Sequence, residues 1–129
     1  MKILVGYDGT DLAKKALQLA KEHARALGAE TIYVLHSKVT DLPQKQHKID
    51  EQDMEDVKTS LEKEGFSCET HLSIRNMTPG EHLVEFAAQH KIDQIVIGVR
   101  MRSKVGKFIM GSTAQHVILQ APCPVVSTK

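Results

Sequence analysis

The sequence predicts an α/β domain: an open, mostly parallel sheet with helices on both faces. Three observations carry this. Short runs of aliphatic and β-branched residues recur along the chain and are too brief to be helices. Stretches with helical apolar spacing separate them, and glycine, proline or a capping residue punctuates most junctions. Because strand and helix alternate without a break, each strand must return to the same sheet through a right-handed crossover, which makes the strands parallel.

The first strand is Ile3-Leu4-Val5, ending in the tight loop Gly6-Tyr7-Asp8-Gly9. Thr10 or Asp11 can cap the helix that follows, since either side chain accepts an amide of the first turn. Leu12, Ala13, Ala16, Leu17, Ala20, Ala24 and Leu27 recur at helical spacing, and Gly28 closes the helix. Thr31 to Leu35 is a second buried strand, ending near His36-Ser37. A loose connection around Pro43 leads to an amphipathic helix from about Ile49, carried by Met54, Val57 and Leu61 and ended by Gly65. Phe66 to Ile74 alternates in part and forms the third strand. Thr78-Pro79-Gly80-Glu81 starts the next helix, with Thr78 as cap, Pro79 in the first helical position and Glu81 three residues on. Ile95-Val96-Ile97 is the most strand-like run and stops at Gly98. Arg100 to Met110 is expected to be a loop or short helix, Ser112-Thr113 to open a helix through Leu119, and Pro124-Val125-Val126-Ser127 to be a final strand. Pro124 lacks an amide for a ladder and belongs at a strand start or edge.

With 129 residues, 41% hydrophobic and 26% charged, the chain makes one globular domain. Its 17 basic and 16 acidic residues leave a net charge of +1, which argues against a dedicated nucleic-acid or anionic-membrane binder. The cysteines, Cys68 and Cys123, lie far apart in strand contexts and form no CxxC spacing, which favours a reduced, cytoplasmic setting and inert thiols. The N-terminal apolar stretch meets Asp8 too early for a signal peptide, and no apolar run approaches the length of a membrane span. Seven histidines show no HxxxH or HExxH spacing, so no metal site is predicted.

Ligands of open parallel sheets bind beyond the carboxyl ends of the strands, where the strand order reverses. Two such ends are unusual here. The first strand delivers Gly6, Asp8, Gly9 and Thr10. The fourth delivers Gly98, then Arg100, Arg102, Lys104 and Lys107, then Gly111-Ser112-Thr113 at a helix start. Glycines let backbone amides approach a phosphate, and the positive end of a helix adds a favourable field. Asp8, being acidic, suits a ribose hydroxyl, an adenine amine or a bridging cation. Two commoner phosphate motifs are absent: Gly106-Lys107 is followed by Phe108 with Met101 at the earlier Walker glycine, and after Gly6 only Gly9 precedes Leu12, so GxGxxG fails. Ser112 has no GxSxG elbow, and an anion-binding serine explains it better than a triad.

Over its whole length the sequence resembles the universal stress protein family. The resemblance rests on Ile3 through Thr10, Gly98 through Thr113 and Ala121 through Val126. The family's nucleotide signature is a glycine, two residues, a second glycine, nine residues, then Gly-Ser. Gly98, Met101, Gly111 and Ser112 reproduce that spacing, with Met101 in place of the second glycine. The resemblance implies a Rossmann-like sheet ordered 3-2-1-4-5, a homodimer paired through the last strand, and binding of ATP or AMP, alone or with Mg2+. Carried over position by position, Gly6 and Asp8 line the adenosine end, Ser37 offers backbone groups to adenine, and Gly98, Gly111, Ser112 and Thr113 hold ribose and phosphates. Thr10, and Arg100 by its charge, join the candidate binding residues.

The expected function is therefore an adenine-nucleotide-binding universal stress protein acting as a regulatory or sensor dimer. It is not expected to be an enzyme, because no general base stands out. The alternative is a nucleotide-free dimer acting as a protein-interaction module, with the Met101 side chain obstructing the phosphate path. A small phosphotransfer enzyme on the same scaffold is a third possibility, distinguished by turnover of ATP with magnesium.

Overall fold

The computed structural model describes residues 1–38, 49–74, 76–104 and 106–129, the side chains of residues 102–104 and 108 excepted. The expected connection around Pro43 lies outside the described residues. The elements run β1 (Lys2–Gly6), α1 (Asp11–Leu27), β2 (Thr31–Lys38), α2 (Glu51–Lys63), β3 (Ser67–Ile74), α3 (Pro79–Gln89), β4 (Gln94–Gly98), β5 (Met101–Lys104), β6 (Lys107–Met110), α4 (Ser112–Gln120) and β7 (Val125–Thr128).

The main sheet has five strands in the order β3-β2-β1-β4-β7, all paired in parallel. Counting only these strands, this is the 3-2-1-4-5 order. Period-two alternation sends each strand's side chains to two cores. Ile3, Val5, Ile32, Val34 and Val96 face α1 and α2. Leu4, Tyr33, Leu35, Ile95 and Ile97 face α3 and α4. Both faces are covered, so the central strands are apolar on both sides, which is why they read as unbroken runs.

The helix ends follow local chemistry. Thr10, and not Asp11, caps α1, its side chain accepting from the Ala13 amide at 3.2 Å. Asp50 caps α2 in a reciprocal pair with Asp53, and Ile49 before it and Met54 after it are both buried in the same core as a hydrophobic staple. Thr78 and Glu81 form the corresponding box at α3, with Pro79 in its first turn.

One expectation fails. Arg100 to Met110 is neither loop nor short helix: β5 and β6 pair antiparallel, Met101 opposite Met110 and Lys104 opposite Lys107, with Gly106 at φ 73° in the connection. The basic residues disguise it in the sequence, and its two short strands carry no period of their own because each is completed only by the other. Several boundaries also shift: β2 runs on to Lys38, β3 begins at Ser67, α4 runs to Gln120 and β7 spans Val125–Thr128. Pro124 precedes β7 and spends only its carbonyl, which accepts from the Ile95 amide at 3.0 Å.

Candidate functional site

The strand order reverses between β1 and β4. Their pairing stops at Val5 and Val96, whereas β1 and β2 stay paired to Gly6 and Leu35. Beyond that point the chains diverge and leave a cavity of about 560 Å³. Gly6, Asp8, Thr10, Ser37, Gly98, Arg100, Gly111, Ser112 and Thr113 line it, whereas Gly9, also named from the sequence, does not.

The loop after β1 is held by its own side chains. One Asp8 carboxylate oxygen accepts from the Thr10 amide at 3.1 Å and from its hydroxyl at 2.6 Å. The other accepts from the Arg100 guanidinium at 3.0 Å, so an ion pair joins the β1 loop to the end of β4. Both side chains are about half exposed, which limits the pair to at most about 1 kcal/mol of stability. Its consequence is positional: it sets Arg100 at the edge of the cavity.

At the end of β2, His36 Nδ1 lies 2.8 Å from the Tyr7 carbonyl. A carbonyl only accepts, so Nδ1 carries the proton and Nε2 is left as an acceptor. Burial holds the imidazole below its usual pKa, outweighing the Tyr7 bond, so it is neutral at pH 7. The Tyr7 amide donates to the Leu35 carbonyl at 2.9 Å. Backbone groups alternate along a strand, so Ser37, two residues on, turns its own toward the same side, past the last β1 pair. The Ser37 hydroxyl lies 2.8 Å from Nδ1 of the buried His82.

The glycines of the fourth strand do different work from one another. A Cβ on Gly98 would stand 2.5 Å from Leu12 Cγ and 3.1 Å from both its methyl carbons, so this glycine makes room for α1. Gly111 is the N-cap of α4 without a capping side chain, and its amide donates to the Arg100 carbonyl at 2.9 Å. The donors at this end are therefore the first-turn groups of Ser112, Thr113 and Ala114, all on the cavity. Among the described helices α4 is the one whose first turn no side chain closes.

Met101 does not line the cavity, and the residue is 41% exposed. It begins β5, in extended backbone that any residue adopts. The nucleotide-free alternative invokes obstruction by this side chain, which is not among the residues lining the cavity. Arg102 and Lys104 have side chains outside the described set, and Lys107 is exposed and away from the cavity.

Sequence reasoning missed the apolar lining, to which Leu12, Leu35, Leu83, Ile97 and Ile109 contribute. All but Ile109, which falls in the segment expected to be a loop or short helix, read as ordinary helix or strand core, and only the tertiary arrangement brings them together. His36 was the one legible omission, a polar residue at a strand's carboxyl end. Cys68 is buried, and desolvation pushes its thiol up to about 12. Burial also raises Cys123.

The model of the universal stress protein family matches residues 1–129. This chain belongs to that family. A universal stress protein of Thermus aquaticus is 34% identical, over 96% of this chain and 95% of its own. A solved universal stress protein of Archaeoglobus fulgidus shares 36% identity with a TM-score of 0.74, covering 100% of this chain and 98% of its own. Another from Archaeoglobus fulgidus, 32% identical with a TM-score of 0.67 and the same coverage, was solved in complex with dAMP.

Proposed function

We propose that the chain binds an adenine nucleotide in the cavity between β1 and β4 and acts as a regulatory dimer in the stress response. One observation carries this: segments distant in sequence, ending β1, β2 and β4, converge on a single cavity whose two ends differ in chemistry. The apolar wall and the backbone edge at Ser37 suit a purine. The open first turn of α4 and Arg100 suit a phosphate. The dAMP complex of the Archaeoglobus fulgidus protein supports the same ligand class.

A regulatory role fits the side chains better than a catalytic one. Among the described lining residues, the one carboxylate, Asp8, is held by Thr10 and Arg100, and His36 is tied to the Tyr7 carbonyl. Both Asp8 oxygens are thus occupied, and His36 keeps only Nε2 as an acceptor. For the dimer, β7 is an outer strand of the sheet, paired on one side with β4 alone, and unpaired strand edges seek partners.

Native mass spectrometry of the purified protein, repeated after denaturation, tests both claims. The expected result is a dimer that releases an adenine nucleotide or takes one up on titration. A monomer would overturn the assembly, and failure to take up AMP or ATP at millimolar concentration would overturn the ligand.

A further inference from the structure

The cavity separates its chemistry by strand. β2 and β4 flank β1, two strand spacings or roughly 10 Å apart. The first turn of α4 and Arg100 lie on the β4 side, and the end of β2 meets the cavity at the opposite side with Leu35, His36 and Ser37. On the nucleotide reading the base faces these three residues. An apolar side chain such as Leu35 distinguishes one purine from another poorly, and the Ser37 hydroxyl already lies 2.8 Å from Nδ1 of His82. The backbone of Ser37 presents one amide and one carbonyl, enough for one ring nitrogen and one hydrogen of an exocyclic amine. Adenine's amine carries a second hydrogen, which needs another acceptor.

His36 is prepared as that acceptor before any ligand arrives. Its Nδ1 lies 2.8 Å from the Tyr7 carbonyl, and the bond made by one ring nitrogen decides the state of the other. Nε2 therefore holds a lone pair, and burial keeps the ring neutral at pH 7 so that the lone pair stays available. Among the described residues nothing bonds Nε2, and the fold does not seal the atom off. His36 lines this cavity and not the neighbouring one beside α2.

We infer that His36 is a specificity-determining residue of the site, its Nε2 accepting a hydrogen from the exocyclic amine of adenine. The inference rests on the nucleotide reading above and assigns that reading a side chain that recognises the base. Isothermal titration with AMP and with purine riboside monophosphate, which lacks the amine, tests it at about 0.15 M salt. The parent is compared with His36→Asn, which still reaches the Tyr7 carbonyl but has no atom in the place of Nε2, and with His36→Phe, which keeps the bulk of the ring; melting curves check both folds. Losing one neutral hydrogen bond should weaken AMP about fivefold in each variant and leave purine riboside monophosphate within about twofold of the parent. An unchanged AMP affinity in a folded variant, or equal weakening of the two ligands, overturns the inference while leaving nucleotide binding intact. Absence of binding of both ligands by the parent overturns the nucleotide reading as well.

Discussion

Gly98→Ala separates a glycine kept for its ligand from one kept for its neighbour. The added methyl carbon would sit 2.5 Å from Leu12 Cγ, well inside the roughly 3.5–4.0 Å at which carbons rest against each other. Leu12 cannot simply step aside with its helix. α1 lies on the sheet through the buried Ala13, Ala16, Ala20 and Ala24, whose small side chains bring the backbones close and leave little slack. Gly98 has no left-handed backbone, so strain of that kind plays no part. Overpacking of this sort costs about 1–3 kcal/mol. The reduced entropy of the unfolded alanine chain returns roughly 0.4–1 kcal/mol, leaving a net loss of about 1–2 kcal/mol. For a chain of this size that lowers Tm by roughly 4–8 °C. Thermal melts followed by circular dichroism, without nucleotide, measure it. Leu12→Ala in the same background should restore much of the loss, so the double-mutant cycle should show coupling of about 1 kcal/mol or more. A Gly98→Ala protein melting within about 1 °C of the parent, or strictly additive substitutions, would refute the steric explanation.

Two further outcomes follow from the same geometry. At Gly111 an added Cβ meets only ordinary contacts, 3.6 Å from the Arg100 carbonyl oxygen, and the backbone is extended at φ −58° and ψ 151°. Gly111→Asp should therefore cap α4, raise stability by a few tenths to about 1 kcal/mol, and reduce AMP affinity more than tenfold because the carboxylate takes the phosphate's place; calorimetry showing higher stability with unchanged affinity would refute the phosphate position. His36 and His71 are both held below their ordinary pKa of 6.5, chiefly by burial, and His71 packs edge-on to Phe86 at 4.9 Å. Below pH 6.5 the unfolded chain then binds more protons than the folded one, so stability is complete above that pH and declines as the pH falls beneath it. Tm should drop between pH 7.5 and 5.5, and His36→Asn with His71→Asn should flatten that slope, an asparagine at 36 still being able to donate to Tyr7. A parent melt independent of pH across this window would count against both assignments.

Much of the site could be read from the chain because its parts are local. Gly6 through Thr10 and Gly111 through Thr113 are short segments at element junctions, and the chemistry of a junction is written in a few adjacent residues. The glycines were legible as positions but not as roles. Gly98 and Gly111 look alike in the sequence, yet one accommodates a leucine from α1 and the other leaves a helix end open. Arg100 was legible as a cation, whereas its partner Asp8 stands 92 residues away.

By itself the sequence determined the succession of the five main strands and four helices and the two-sided burial, because apolar periodicity and capping chemistry act over a few residues at a time, and the family through the resemblance of its motif residues. The hairpin between Arg100 and Gly111, the placement of Met101 outside the cavity and the Asp8–Arg100 pair were decided only by the tertiary structure. The Asp8–Arg100 pair joins segments that carry no local signal for one another and forms when the parallel sheet brings the ends of β1 and β4 side by side, while the two short strands of the hairpin are completed only by each other.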